Sequence, residues 1–201
     1  MKSLTPTRTR ENSDVRRGAI AAAARTLIAE RGFEGLRTRD IADRVGINIA
    51  TFHYHMPTKE ALIELVAQSM RDDFIAQSMA WRREGLTALQ QLQHEMADFR
   101  ETMEHKPELF AVLTEMIERA RRDPRIDAAI RPLQVYWHQQ FVDILTRGRR
   151  DGSFRPDLDP RAAATMVTGA MSATMRPPFH GVSQFDRVAA ELLRALANNS
   201  R

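Results

Sequence analysis

The sequence predicts an all-α protein in two parts, an N-terminal three-helix domain followed by a longer helical domain. Apolar residues recur at spacings of three and four along most of the 201-residue chain, which is the period of an amphipathic helix. Glycine and proline separate the helical segments, and no segment alternates apolar and polar residues as a half-buried strand does.

Composition and charge narrow the class of protein. The chain has no cysteine, and no apolar run approaches the roughly 20 residues of a membrane span. The net charge of +4 comes from the first 60 residues, which hold 11 Lys/Arg against 7 Asp/Glu, whereas the remainder holds 19 of each. We therefore expect a cytoplasmic protein with no cofactor, metal or membrane partner, whose N-terminal domain alone meets a polyanion.

The N-terminal domain is predicted at residues 14–60, behind a flexible basic arm at residues 1–13. Its first helix is expected to begin at Asp14 and to stop at Gly32. The arm is polar and lacks apolar periodicity, so it either reaches phosphates or is an ordinary frayed terminus.

Two short helices and a tight turn follow. The hydroxyl of Thr38 is expected to cap the second helix, and Asn48 to cap the third. Gly46 lies between them, where the chain needs positive φ. Ile41 and Phe52 then share a small core, which is the geometry of a helix-turn-helix.

The third helix is predicted to expose a surface that suits DNA. A rotation of about 100° per residue from Phe52 places four residues on or beside the opposite face, namely Ala50, Thr51, His53 and Tyr54. None of them is a carboxylate that would repel phosphate. Thr58 caps the next helix, and Lys59 lies in its first turn, where backbone N–H groups attract anions.

The stretch TRDIADRVGINIATFHYHMPTKEAL resembles the signature of the TetR/AcrR family of bacterial transcriptional regulators, roughly T-x-x-x-I-A-x-x-x-G-V-S-x-G-T-L-Y-x-Y-F-x-S-K-E-x-L, within a resemblance that covers residues 14 to 62. His53 stands where the family usually has a phosphate-binding tyrosine, and Met56 where it commonly has phenylalanine. The resemblance implies a homodimer that binds double-stranded operator DNA, most simply as a repressor.

The same resemblance implies individual DNA contacts. Base or groove contacts are expected from Arg39, Ile49, Ala50, Thr51 and Tyr54, and phosphate contacts from Thr38, His53, His55 and Lys59. Asn48, at the start of the third helix, also belongs to the predicted DNA-binding residues. Two alternatives stay open, in which His55 belongs to the core and Tyr54 is merely exposed.

Residues 61–201 are predicted to form a helical effector-binding and dimerisation domain. The resemblance implies that an apolar or aromatic small molecule binds there and swings the linking helix, so that the two heads no longer match the groove spacing. Candidate lining residues are Met96, Phe99, Met103, Phe110, Met116, Trp137, His138, Phe141 and Met166. Pro132 either kinks a helix that starts at Pro124 or divides it in two.

The last two helices are expected to pair with the same helices of a second protomer in a four-helix interface. The first of them starts at Pro160, and the second is expected to begin with a capping box from Ser183 to Asp186. The predicted contacts are Val167, Ala170, Met171, Thr174, Phe185, Val188, Leu192 and Leu196. Alternatively, these helices only complete the core of the monomer.

Three other functions are alternatives to a ligand-released repressor. An enzyme would have to use His94, His105, His138 or His180, perhaps with Glu115 or Glu118, but no catalytic or metal-binding motif accompanies them. A DNA-binding regulator whose C-terminal domain only dimerises or binds a protein, and an activator instead of a repressor, both stay open.

Overall fold

The structure is a computed structural model, and it describes residues 7–79, 85–178 and 180–198. Within these ranges the chain forms nine α-helices and no β-strand, apart from an isolated bridge between Phe154 and Ala197. The helices are α1 (Thr7–Arg31), α2 (Thr38–Val45), α3 (Ile49–His55), α4 (Lys59–Met79), α5 (Ala88–His105), α6 (Pro107–Ala120), α7 (Pro124–Asp151), α8 (Pro160–Ala173) and α9 (Val182–Leu196). The predicted all-α class is confirmed.

Contacts divide the chain into two units. The first comprises the described residues up to Asp73 together with Ala111–Ile130, and the second comprises the described residues of Phe74–Phe110 and those from Arg131 onward. The end of α6 and the start of α7 therefore pack with the N-terminal helices. This division by contacts does not test the sequence domains at 14–60 and 61–201, which stay predictions.

Local chemistry accounts for most helix termini. Gly32 and Gly46 follow α1 and α2 with φ of 66° and 72°, a conformation that glycine adopts without a steric penalty. Asn48 caps α3, and Asp159 caps α8 ahead of Pro160. The capping box of α5, made by Thr87 and Gln90, was missed in the sequence.

Two expectations about helix bounds change, and the open alternative at Pro132 is decided. Helix α1 begins at Thr7 instead of Asp14, because residues 7–13 include no glycine or proline that would end a helix; residues 1–6 of the predicted arm lie outside the described residues. Helix α7 runs through Pro132 as one helix. Helix α9 begins at Val182 with Gly181 as an N-cap that makes no side-chain bond.

The expected capping box at Ser183 is absent because Ser183 lies inside α9, behind the N-cap Gly181, and its acid has another partner. The Asp186 carboxylate accepts a hydrogen bond of 3.0 Å from Arg100 Nε on α5. A contact between two helices distant in sequence therefore replaces the local cap.

Candidate nucleic-acid interface

The α2–α3 turn has a defined geometry. Phe52 and Ile41 are buried at 1% and 0% exposure, and Ala42 beside them is buried too. The N–H of Ile47 donates to the carbonyl of Ala42 at 3.0 Å, and the N–H of Gly46 to that of Asp43 at 3.2 Å. These bonds satisfy carbonyls at the end of α2, so α3 leaves the turn in one direction.

Helix α3 is short, and a side-chain cap supports its start. Asn48 Oδ1 accepts from the N–H of Thr51 at 2.7 Å, while the Asn48 carbonyl accepts from the N–H of Phe52 at 3.0 Å. Seven residues form a marginal helix on their own. The cap and the buried Phe52 therefore supply much of what keeps α3 helical.

The outer face of α3 is the one expected from the sequence. Ala50, His53 and Tyr54 are exposed, Tyr54 at 83%, and Thr51 is half-buried. The His53 ring meets Phe52 edge-on, with the ring centroids 5.6 Å apart. The surface thus presents a methyl, an imidazole and a phenol to solvent, with a hydroxyl at its margin.

His55 contacts Tyr54 and does not lie in the core. It is half-buried, and its ring stands edge-on to that of Tyr54 with centroids 5.2 Å apart. Ile49, at the start of α3, is 38% exposed, which is high for a large apolar side chain in a folded domain.

Lys59 is exposed in the first turn of α4. Thr58 caps this helix as expected, its Oγ1 accepting from the N–H of Ala61 at 3.1 Å. The adjacent Glu60 pairs with Arg125 at 2.5 Å. The pKa of the Glu60 carboxyl is lowered, first by its own backbone N–H and then by Arg125, so this acid is ionised and paired beside Lys59.

Other acids around α2 are also paired with arginines. Asp40 pairs with Arg31 at 3.0 Å, and Glu30 pairs with Arg44 at 3.2 Å. Pairing offsets their charge locally, so the exposed Arg39 of α2 stands on a surface whose acids are partly neutralised.

Thr38 does not cap α2. The N-cap is Arg37, in an extended conformation, and Thr38 is the first helical residue. The one-residue shift arises because Asp40 and Ile41 are placed by their contacts with Arg31 and the core, and the helix start follows from that register. Thr38 is exposed, and its phosphate contact stays a prediction.

No sequence pattern predicts the contacts that attach α6 to the loop after α1. Glu34 pairs with Arg119 at 2.6 Å, and Arg119 pairs with Glu115 at 3.1 Å. Glu115 Oε1 also accepts a hydrogen bond of 3.3 Å from the N–H of Phe33. The Arg119 guanidinium lies over the Phe33 ring, 5.6 Å from its centroid. Glu115, considered above as a catalytic candidate, therefore has a structural role.

Several predicted effector residues meet in the second unit. The Phe99 ring lies 5.5 Å from Trp137 and 4.5 Å from Phe110, and Phe141 lies 6.0 Å from Trp137, measured between centroids. Met96 is buried, and Met103 is half-buried. We call the rings of Phe74, Phe99, Phe110, Trp137, Phe141 and Phe185 the aromatic cluster.

Three other effector candidates lie elsewhere. Met116 is buried in the first unit. Met166 is 57% exposed on α8, so it does not line an interior cavity as predicted. Half-buried His138 lies near α8, with Nε2 3.1 Å from Thr165 Oγ1.

Most of the predicted dimer contacts face the interior of the protomer. Exposure is 9% or less at Val167, Met171, Thr174, Phe185, Leu192 and Leu196. Apart from Leu192, which also lines the groove described below, their assignment to an interface is corrected, since side chains packed inside one protomer leave no surface for another. Ala170 and Val188 are half-buried. The outer side of α9 is a groove lined by Gln184, Arg187, Val188, Glu191, Leu192 and Ala195.

The described residues form neither a metal site nor a membrane-spanning helix. No group of three or more His, Cys, Asp or Glu in those ranges is placed to hold a metal ion. None of the helices described there combines the length and the hydropathy that a membrane crossing requires.

Two family models match the chain. "Bacterial regulatory proteins, tetR family" matches residues 20–66, which contain α2 and α3, and "Tetracyclin repressor-like, C-terminal domain" matches residues 86–196. The second match alone covers more than half of the chain.

Individual proteins agree with these models. The HTH-type transcriptional repressor KstR2 of Mycolicibacterium smegmatis is 31% identical over 145 residues, 72% of this chain and 70% of that protein; KstR2 of Mycobacterium tuberculosis (strain H37Rv) is 30% identical over 72% of each.

Solved structures share the fold. The ketosteroid transcriptional regulator KstR2 of Mycobacterium tuberculosis superimposes with a TM-score of 0.68 at 25% identity, over 90% of this chain and 95% of that one. A TetR-family regulator from Agrobacterium tumefaciens reaches 0.81 at 19% identity, over 92% and 99%, which concerns the fold alone. The chain therefore belongs to the TetR family, whose members are DNA-binding transcriptional regulators and not enzymes.

Proposed function

We propose that the protein is a homodimeric repressor that binds a specific operator and leaves it when an apolar or aromatic ligand binds the second unit. The observation that carries this proposal is the exposed, carboxylate-free face of α3, held by Phe52 and capped by Asn48. The relatives named as repressors match over more than two thirds of both chains, which supports repression.

The exposed side chains divide by the DNA groups they suit. Arg39 can pair with the O6 and N7 atoms of guanine, while Ile49 and Ala50 suit thymine methyl groups. Thr51 and Tyr54 supply hydroxyls for base edges. Four residues, Thr38, His53, His55 and Lys59, are assigned to phosphates, which position the protein without carrying sequence information.

A homodimer follows from the size of the reading surface. One helix-turn-helix reads only a few base pairs, and two copies about 34 Å apart meet successive major grooves on one face of the duplex. The outward sides of α8 and α9 are the proposed interface. They include Ala170 and Val188 from the predicted set, as well as exposed Met166.

The aromatic cluster supports an apolar effector. Phe99 and Trp137 lie nearly parallel at 16°, and Phe74 and Trp137 at 24°, so a ligand that parts these rings meets flat apolar faces. The solved KstR2 structure is described as a ketosteroid transcriptional regulator. Fused-ring apolar compounds are therefore the first class to titrate, with Trp137 fluorescence as the readout.

The central experiment selects bound fragments from random double-stranded DNA with the full-length protein. We expect an inverted repeat whose half-site centres lie about one helical turn, or a multiple of it, apart. Sedimentation should show a dimer on that DNA. A strict monomer, or a bound pool without an enriched sequence, would contradict the proposal.

Variants then separate positioning from reading. Lys59→Ala should weaken binding to operator and random DNA alike and flatten the plot of log K against log salt by about one unit for each bound protomer. Thr51→Ala should weaken binding to the operator more than to random DNA, since the proposed contact is to a base edge. An unchanged slope for the first variant, or equal losses for the second, would refute the respective role.

A further inference from the structure

Arg37 occupies a position where arginine does not help the fold. It is the N-cap of α2, with φ −112° and ψ 137°, and its side chain makes no capping bond. Serine, threonine, aspartate and asparagine are preferred at such a position because their oxygen accepts a backbone N–H. A cation at the positive end of the helix dipole is unfavourable as well.

Four other helices of this chain have the preferred type of N-cap, a side-chain oxygen that accepts a backbone N–H. Asn48, Thr58, Thr87 and Asp159 each accept a backbone N–H at the start of α3, α4, α5 and α8. At the start of α2, by contrast, a guanidinium stands where these four helices have a capping oxygen.

The surroundings leave this guanidinium unpaired. Arg37 is exposed, and its side chain has no hydrogen-bond or ion-pair partner within the described parts of the chain. The nearby acids are engaged by other arginines: Asp40 by Arg31 at 3.0 Å, and Glu34 by Arg119 at 2.6 Å. The side chain is thus free to meet an external anion.

We propose that Arg37 is an additional DNA contact, whose guanidinium binds a backbone phosphate beside the surface that reads the bases. The inference rests on the proposed operator binding. A residue that disfavours the local structure and gains nothing inside the protein is typical of a functional position. Arginine suits phosphate because its planar donors bind two oxygens at once.

The decisive variant is Arg37→Thr, because threonine can restore the missing cap. We expect its thermal midpoint to stay equal or rise, whereas affinity for the selected operator falls roughly fivefold to tenfold at 0.1 M salt and the salt slope decreases by about 0.9 for each protomer, or about 1.8 for the dimer. Random DNA should lose affinity by the same factor. A folded and stable variant with weaker binding cannot be explained by damage to the fold.

Two controls complete the test. Arg37→Lys retains the charge and should retain the salt slope. Arg150→Thr removes one exposed arginine from the second unit and should leave the slope unchanged. An unchanged slope for Arg37→Thr, or a loss confined to the operator, would overturn the phosphate contact. Absence of operator binding by the wild type would instead refute the proposed function.

Discussion

The cap of α3 offers a test in which stability and DNA binding change in different directions. Asn48→Ala removes the 2.7 Å bond to the N–H of Thr51. Loss of one such cap costs about 1 kcal/mol, which lowers the melting temperature of a protein of this size by roughly 2–4 °C. If α3 must be re-formed on the operator, the same energy reduces affinity by up to about fivefold for each protomer.

Asn48→Asp separates the two effects. The carboxylate still accepts the N–H of Thr51 and favours the helix dipole, so the melting temperature should be equal or higher. A negative charge at the start of the reading helix repels phosphate, and binding should be weaker than for Asn48→Ala. Circular dichroism and fluorescence anisotropy on the selected operator measure the two quantities.

The matched control is Asp159→Asn at the N-cap of α8, in the second unit. It replaces aspartate by asparagine, the reverse of the substitution at position 48. It should leave operator affinity unchanged. Equal melting temperatures for Asn48→Ala and the wild type would refute the role of the cap. Operator binding by Asn48→Asp that matches or exceeds that of Asn48→Ala would refute the contact between this end of α3 and DNA.

Two further predictions concern packing and acid stability. Gly148→Ala would place a Cβ 2.1 Å from Phe154 Cδ2. Because such overpacking typically costs about 1–3 kcal/mol, the melting temperature should fall by several degrees. Adding Phe154→Leu to this variant should recover part of the loss. The pKa of Glu60 is lowered from its ordinary value of 4.5, as described above, so its contribution to folding is present above that value and is lost as pH falls through the lower folded pKa. The pKa of Asp123 is lowered mainly by a hydrogen bond from Arg125; urea titrations at pH 3 to 6 should therefore show a shallower acid loss in Arg125→Gln, and an identical pH profile would count against these pairs.

The reading surface was predictable because its determinants are local. The exposed set on α3 follows from helical period and one apolar anchor, Phe52, and both Gly46 and Asn48 act on residues within five positions of themselves. The assignment of Thr38 was wrong by one residue because Arg37 carries no capping signal that a sequence pattern can recognise.

The last two helices show the opposite case. Helix α8 carries apolar or small residues around most of its circumference. The helical period of the sequence therefore did not predict which side of α8 faces the interior of the protomer. The structure buries Val167 and Met171 and exposes Met166. That choice depends on packing against α9 and, through α9, on the 3.0 Å bond from Arg100 of α5 to Asp186.

By itself the sequence determined the helical class, the turn at Gly46 and the carboxylate-free face of α3, since period, capping and backbone permissiveness act over a few residues. Only the tertiary structure decided the partners of Glu34 and Glu115, the buried side of α8 and the lack of a partner for Arg37 among the described residues. Those features depend on which distant side chains meet after folding, and no local pattern carries that information.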